Sequence, residues 1–285
     1  MSDLLKKAEK KGINLINLPS RWPEKYEEAA KLVHREDTKN PPKAIRTGFS
    51  GLDDMVEGFR PGELVILSGP TKNGKTVFAQ SMTWDLAQRG IGSLWFTMEM
   101  SWQELTRKFM GMDESMRSKA VPSSVPVYYP LENIDPSAGL TLDWMREVIE
   151  QAKERNGTEI VFVDHLHFLL PLKDYNQNVS FLIGSIVREV KKIARDLGVV
   201  IVLIAHTKKL ENDKAKPGLS DIRDSSFIAQ ESDFAMMIWR MMDEKTKELT
   251  NMACLKVLTN RRTGKVGSLF LEWNGKKFRQ ISRKV

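Results

Sequence analysis

Residues 69–76 read Gly-Pro-Thr-Lys-Asn-Gly-Lys-Thr, the pattern G-x-x-x-x-G-K-[ST], and follow directly on the strand-like run Leu64-Val65-Ile66-Leu67-Ser68. A helix-like segment over 75–89 comes next, so the pattern lies in the strand, loop and helix context that gives it physical meaning. Glycines let the backbone curl until its N–H groups face an anion. Gly69, Pro70, Thr71, Lys72, Asn73 and Gly74 then form a phosphate cradle, Lys75 brings a point charge near the β and γ phosphates, and Thr76 offers a hydroxyl to Mg²⁺. The pattern predicts a nucleoside triphosphate ligand, ATP, with Mg²⁺ as its cation. An ordinary turn that happens to carry Gly and Lys is disfavoured by the buried strand before it and the helix after it.

Composition restricts the remaining classes. The chain has 285 residues, 41% of them hydrophobic and 28% charged, enough for one substantial core in a globular fold. Its longest apolar run, residues 199–205, is far too short to cross a bilayer, and the first residues lack the apolar core of a secretory signal. No membrane association and a cytoplasmic location are therefore expected. Cys254 is the single cysteine, so neither a disulfide framework nor a cysteine metal centre is available. The net charge of +7 suits an acidic partner, nucleic acid first among them, although charge alone is equally compatible with a solvated surface.

The chain changes character near Pro41-Pro42. Before it, two amphipathic stretches carry too few apolar residues for a core. Beyond it, strand-like segments at 64–68, 93–97, 125–129, 159–163 and 199–204 alternate with helix-like segments at 75–89, 101–111, 142–155 and 180–197, which predicts a mostly parallel sheet. From 234 onward strands follow one another without helices, at 234–240, 252–259, 266–272 and 278–281. The expected fold is α/β, a P-loop domain whose mostly parallel central sheet is flanked by helices and continued by a C-terminal antiparallel extension.

In an open parallel sheet, ligands bind at the carboxyl ends of the strands. Glu99, Asp164 and His206 each stand just past such an end. Triphosphate hydrolysis needs a carboxylate for the Mg²⁺ shell, one to orient or deprotonate water, and a polar group that senses the γ-phosphate. Asp164, Glu99 and His206 match those needs in that order. Singly, each has an ordinary structural alternative; their shared position on a P-loop sheet favours the site.

These residues carry a resemblance. Gly48-Phe49-Ser50-Gly51-Leu52-Asp53 and Pro61-Gly62-Glu63-Leu64 resemble the entry to the RecA-like ATPase domain of the hexameric replicative helicases, the DnaB family of superfamily 4. Thr97-Met98-Glu99-Met100-Ser101 is similar to that family's segment with the catalytic glutamate, and Val163-Asp164-His165-Leu166 to its Walker B segment. Ser220-Asp221-Ile222-Arg223-Asp224-Ser225, with Ile228-Ala229-Gln230 and Asp233, resembles the motif after the second DNA-binding loop. The stretch from Asn260 to Gly267 resembles the arginine-finger motif, most like the phage primase-helicase and Twinkle branch. The likeness covers residues 45 to 280.

The resemblance implies a ring, hexameric in the family, that hydrolyses ATP at subunit interfaces and translocates on single-stranded DNA to unwind duplex. It implies Arg261 as a finger acting across a subunit boundary, and Arg240 with Trp273 as a pair sandwiching the base, a cation–π arrangement that is physically reasonable, with Trp273 as plain strand packing the equal alternative. The DNA loops map to 171–179 and 207–221; Lys173, Lys208, Lys209, Lys214, Lys216 and Arg223 are the DNA-binding candidates. Tyr175 is the sole aromatic residue in either loop, so little base stacking is expected. Residues 1–44 read as an N-terminal helical linker arm making a subunit contact, and 45–285 as the ATPase domain. A primase, polymerase or loader is a further expected partner, and a phage in its bacterial host a fitting source. Two departures stand out. Thr259 occupies a position that is usually lysine, a loss that Arg262 can offset, and no primase or large collar domain precedes the ATPase domain. Two other readings stay open: a RecA- or RadA-like recombination or repair ATPase, and an ATP-dependent scaffold or loader on DNA without unwinding.

Overall fold

Strands that are apolar on both faces must lie inside a sheet covered from both sides, and this requirement organises the domain. In the computed structural model of the chain, residues 43–97, 99–112, 127–128, 142–169, 179–208, 217–222, 225–243 and 245–282 are described. The chain divides between Lys43 and Ala44 into two compact units, and the account below concerns the second. The expected arm lies outside the described residues, apart from its last two positions.

A short helix, α1 (Ser50–Val56), leads into β1 (Leu64–Gly69), α2 (Lys75–Ala87), β2 (Gly92–Thr97), α3 (Trp102–Met112), β3 (Val127–Tyr128) and α4 (Leu142–Asn156). Next come β4 (Thr158–Asp164), α5 (Val179–Leu197), β5 (Val200–His206), α6 (Ser225–Glu231) and β6 (Phe234–Met242), then β7 (Leu249–Asn260), β8 (Gly267–Trp273) and β9 (Phe278–Ile281). Among the described residues these strands form one nine-stranded sheet in the order β3-β2-β4-β5-β1-β6-β7-β8-β9. From β3 to β6 all neighbours are parallel. β7, β8 and β9 close the far side as antiparallel neighbours.

The α/β class with its antiparallel extension is as expected, with one shift. The sequence pattern puts the strand at 234 at the start of the antiparallel part, yet β6 runs parallel to β1. Seven-residue α6 supplies the crossover, and a helix of two turns leaves almost no periodic signal in a sequence. α1 is equally silent in the pattern; its start is held by Asp53, whose Oδ1 accepts the Thr47 N–H at 2.7 Å.

Side chains alternate across the sheet, and the two resulting faces carry two cores. Val65 and Leu67, with Ile160, Phe162, Val202 and Ile204, pack under Phe78 and Met82 of α2 and Leu105 and Phe109 of α3. Leu64 and Ile66, with Val161, Val163, Ile201 and Leu203, pack under Met145 and Ile149 of α4 and Ile183, Val187 and Val190 of α5. Trp95 stacks on Phe162 at 4.8 Å between ring centroids, and its indole N–H donates to Thr83 Oγ1, so burial leaves no polar atom of that ring unpaired.

At the amino edge, Asp233 binds the layers together. Its Oδ2 accepts the Leu64 N–H at 2.7 Å and the Lys191 ammonium of α5 at 2.5 Å. Phe162 is fully buried in the Trp95 stack, so Phe162→Ala is expected to cost about 3–5 kcal/mol of unfolding free energy. Urea unfolding followed by tryptophan fluorescence measures it; a loss under about 1 kcal/mol would mean that the site collapses around the deletion.

Candidate active site

β1 delivers the phosphate-binding loop, and two glycines in it are sterically enforced. A Cβ on Gly69 would lie 2.1 Å from the Ile238 carbonyl oxygen, and one on Gly74 would lie 2.8 Å from the Phe278 ring. Gly74 also has φ of 93° as the residue before α2, a conformation that other residues adopt at a cost. Asn73 ties the loop to the neighbouring strand: its Nδ2 donates to the Thr71 carbonyl, while its Oδ1 accepts the Arg240 N–H at 2.8 Å. The Lys75 ammonium folds back onto the Gly69 and Pro70 carbonyl oxygens at 2.9 and 3.1 Å. Burial pushes its pKa below the usual lysine range, and the charges of Asp164 and Glu99 oppose that shift.

Thr76 donates from Oγ1 to Asp164 Oδ2 at 2.8 Å. Asp164 is the last residue of β4, inside the strand rather than past it, and is 1% exposed. Burial raises its carboxyl to about 6, with Glu99 adding to the rise, while the Thr76 hydrogen bond, Lys75 and Lys108 oppose it. Thr76 and Asp164 are adjacent hard oxygen donors, and the buried carboxylate gains by meeting a cation. This donor set fits Mg²⁺, which takes oxygen ligands and avoids softer ones.

Glu99 follows β2. Its Oε1 lies 3.2 Å from His165 Nδ1 and 3.4 Å from His206 Nε2. The two imidazoles meet edge to face at 4.3 Å. His206 closes β5, again inside the strand rather than beyond it. The structure thus brings together Lys75, Thr76, Glu99, Asp164 and His206, and adds His165, which is not among the residues the sequence singles out. Its one signal is its place directly after Asp164.

Other expected residues are held differently. Arg261 lies at the opposite edge of the sheet; its N–H donates to the Asp233 carbonyl, and its exposed side chain reaches the Gln230 carbonyl at 3.3 Å. Arg262 does not serve as the expected substitute for a lysine at 259. It is folded into its own domain, with Nη2 donating to the Gly58 carbonyl and 2.9 Å from Glu63 Oε1, and with its guanidinium over Phe234. The Thr259 hydroxyl is buried and has no hydrogen-bond partner among the described residues. Arg240 and Trp273 do meet, but they face each other directly, the guanidinium 5.6 Å from the ring centroid. A base between them needs two stacking gaps, roughly 7 Å in all, so the sandwich is closed. Arg240 is turned aside by its bond to the Thr250 carbonyl at 2.7 Å. Lys208 is exposed, and its N–H donates to the Asp221 carbonyl at the base of its loop. Lys173, Lys209, Lys214, Lys216 and Arg223 lie outside the described residues.

A family model described as the DnaB-like helicase C terminal domain matches residues 44–281. The chain belongs to the DnaB-like helicase family. It is 26% identical over 275 residues to the replicative DNA helicase DnaB of Pasteurella multocida, covering 88% of this chain and 58% of that protein. Against the replicative DNA helicase DnaC of Bacillus subtilis it is 24% identical over 298 residues, covering 95% of this chain and 65% of the other. This DnaB-like chain therefore spans little more than half the length of such relatives. Among solved structures, one described as a helicase ATPase domain superposes with a TM-score of 0.75 at 22% identity, over 92% of this chain and 100% of that one. A DnaB-like replicative helicase whose interactions with primase were also described gives 0.73 at 20% identity, over 98% of this chain and 72% of that one. Both confirm the RecA-like fold of the DnaB-like domain.

Asp164 gives this DnaB-like site a pH signature. Its carboxyl is raised from 3.8 to about 6 on folding, so the folded chain binds that proton more tightly than the unfolded one. The associated stability is fully present below 3.8 and is lost as pH rises through about 6. Without divalent cations, the wild type is expected to lose roughly 3 kcal/mol relative to Asp164→Asn between about pH 4 and 7, at about 1.36 kcal/mol per pKa unit. Urea titrations of both proteins across that range measure the difference; parallel profiles would assign the pH dependence to other groups.

Proposed function

We propose that this chain is the ATP-hydrolysing motor domain of a ring-forming replicative DNA helicase, which translocates on single-stranded DNA and separates duplex. The observation that carries this reading is the division of the catalytic set across the sheet. Lys75, Thr76, Glu99, Asp164 and His206 occupy the carboxyl edge, and Arg261 the amino edge.

Each group has a task on this reading. The loop of residues 69–76 cradles the triphosphate, and Lys75 exchanges its two carbonyl partners for phosphate oxygens. Thr76 and Asp164 hold Mg²⁺, which when bound neutralises phosphate charge. Glu99 orients the attacking water and draws off its proton, held for that purpose between His165 and His206. His206, on the strand beside β1, senses the γ-phosphate. Asn73 couples the loop to Arg240, whose side chain swings away from Trp273 to admit the base.

Arg261 has no route to its own phosphates. β1 has six residues, so the two edges are roughly 17 Å apart at about 3.3 Å per residue. Its guanidinium is exposed and serves the site of a neighbouring copy, where it stabilises charge developing on the transferred phosphoryl group. Hydrolysis then requires assembly, hexameric by analogy with the family. Lys208 and the other lysines of loops 171–179 and 207–221 track the DNA backbone without reading bases. A primase is the partner suggested by the solved relative described with one, and the cytoplasm, with a phage-infected host as one setting, is the location this role implies.

Steady-state ATP hydrolysis with and without single-stranded DNA tests the reading. DNA is expected to stimulate turnover and Lys75→Ala to abolish it; retained hydrolysis in that variant would overturn the site. Arg261→Ala is expected to bind nucleotide as the wild type does while kcat falls about a thousandfold, the low end for an arginine finger. Mixing the variant with wild type should remove activity faster than in proportion, whereas linear loss would place the finger in its own subunit.

A further inference from the structure

The cluster around Glu99 has a donor chemistry that magnesium does not use. Glu99, His165 and His206 come from the carboxyl ends of β2, β4 and β5, which are consecutive neighbours in the sheet. Each offers one donor atom, and the three lie within 4.8 Å of one another. Glu99 Oε1 stands 3.2 Å from His165 Nδ1 and 3.4 Å from His206 Nε2. Tetrahedral ligands about 2.0–2.1 Å from an ion are themselves roughly 3.4 Å apart. Two of the three edges therefore already have the length that an ion demands.

We infer that Glu99, His165 and His206 form a binding site for a borderline divalent transition-metal ion of the Zn²⁺ and Co²⁺ class, separate from the oxygen pair of Thr76 and Asp164. Two imidazoles with one carboxylate are a ligand set that Zn²⁺ and its neighbours take up readily and that Mg²⁺ does not. The strand ends fix the spacing, so little reorganisation is needed. Side-chain exposures of 40% for Glu99, 25% for His206 and 12% for His165 leave a way in and room for water as the fourth ligand. An ion held here occupies the carboxylate lone pair and the imidazole nitrogen assigned above to water and γ-phosphate, so it inhibits hydrolysis. That consequence rests on the proposed function; the binding itself does not.

The full chain is titrated with Co²⁺ in the absence of nucleotide and magnesium, followed by its visible d–d absorption, and the cobalt is then displaced with Zn²⁺. One tetrahedral Co²⁺ per chain is expected. Glu99→Gln, His165→Gln and His206→Gln should each weaken it at least tenfold, with melting temperatures showing that each variant is folded. Asp164→Asn should retain the affinity. Unchanged binding in the three variants would mean an adventitious ion only, and a loss equal to theirs in Asp164→Asn would move the ion to the magnesium pair; either overturns the inference. Cobalt absorption needs no turnover, so a chain that failed to hydrolyse ATP would still decide the question. Where turnover is present, Zn²⁺ at stoichiometric levels should inhibit it, and full activity with zinc bound would overturn the inhibitory role.

Discussion

Every distance in the candidate site follows from the register of four parallel strands. β1 and β5 align so that Gly69 lies opposite His206, and β2 and β4 so that Thr97 lies opposite Asp164. These pairings bring the phosphate loop, the buried carboxylate, the Glu99 segment and both imidazoles to one edge. Because side chains alternate between faces, a slip of one residue in any strand would exchange its two sets of side chains. Leu64 and Ile66 belong to one core and Val65 and Leu67 to the other, so the two cores together hold the register against such slips. Packing far from the phosphate thus determines geometry beside it.

The same burial sets the electrostatics. Lys75 is pushed down and Asp164 up, both chiefly by loss of water, and each only partly relieved by the other's charge. Burying ionic groups is costly unless partners are well placed. A triphosphate and a hard cation are the partners that restore both groups to their charged forms. The site thus holds part of the free energy of ligand binding as unfavourable solvation in the free chain, and it needs no large movement to release it beyond the turning of Lys75.

Much of this is legible in the sequence, and the reasons are specific. The run at 64–67 is apolar at every position, and Gly74-Lys75-Thr76 opens a helix close behind it, so the loop and its strand identify each other. Asp164 and Glu99 are legible because strand ends in a parallel sheet face one edge. His165 is not, since its distance from Glu99 exists only through the pairing of β2 with β4, which no local pattern encodes. The role expected of Arg262 fails because sequence places it beside Arg261 without showing that one side chain turns inward to Glu63 and the other outward. The Arg240 and Trp273 pair is legible, but its closed spacing depends on the Thr250 carbonyl across the β6–β7 pairing, a contact set by tertiary structure.

The amino edge bears on why assembly and turnover belong together in the proposed function. Asp233 joins β1 through Leu64, α5 through Lys191 and the end of β7 through the Arg261 N–H. α5 begins where the first loop assigned to DNA ends, and Arg261 is the group assigned to a neighbour's phosphate. One carboxylate and its own backbone carbonyl therefore link both assignments by hydrogen bonds, a contiguous physical route of the kind along which coupling travels. A rigid brace of this kind keeps the finger backbone fixed to the sheet while the guanidinium stays exposed. Movement of one domain against the next would then carry Arg261 into or out of the neighbouring site as a unit. Hydrolysis would follow the relative placement of domains, with no change needed within either one.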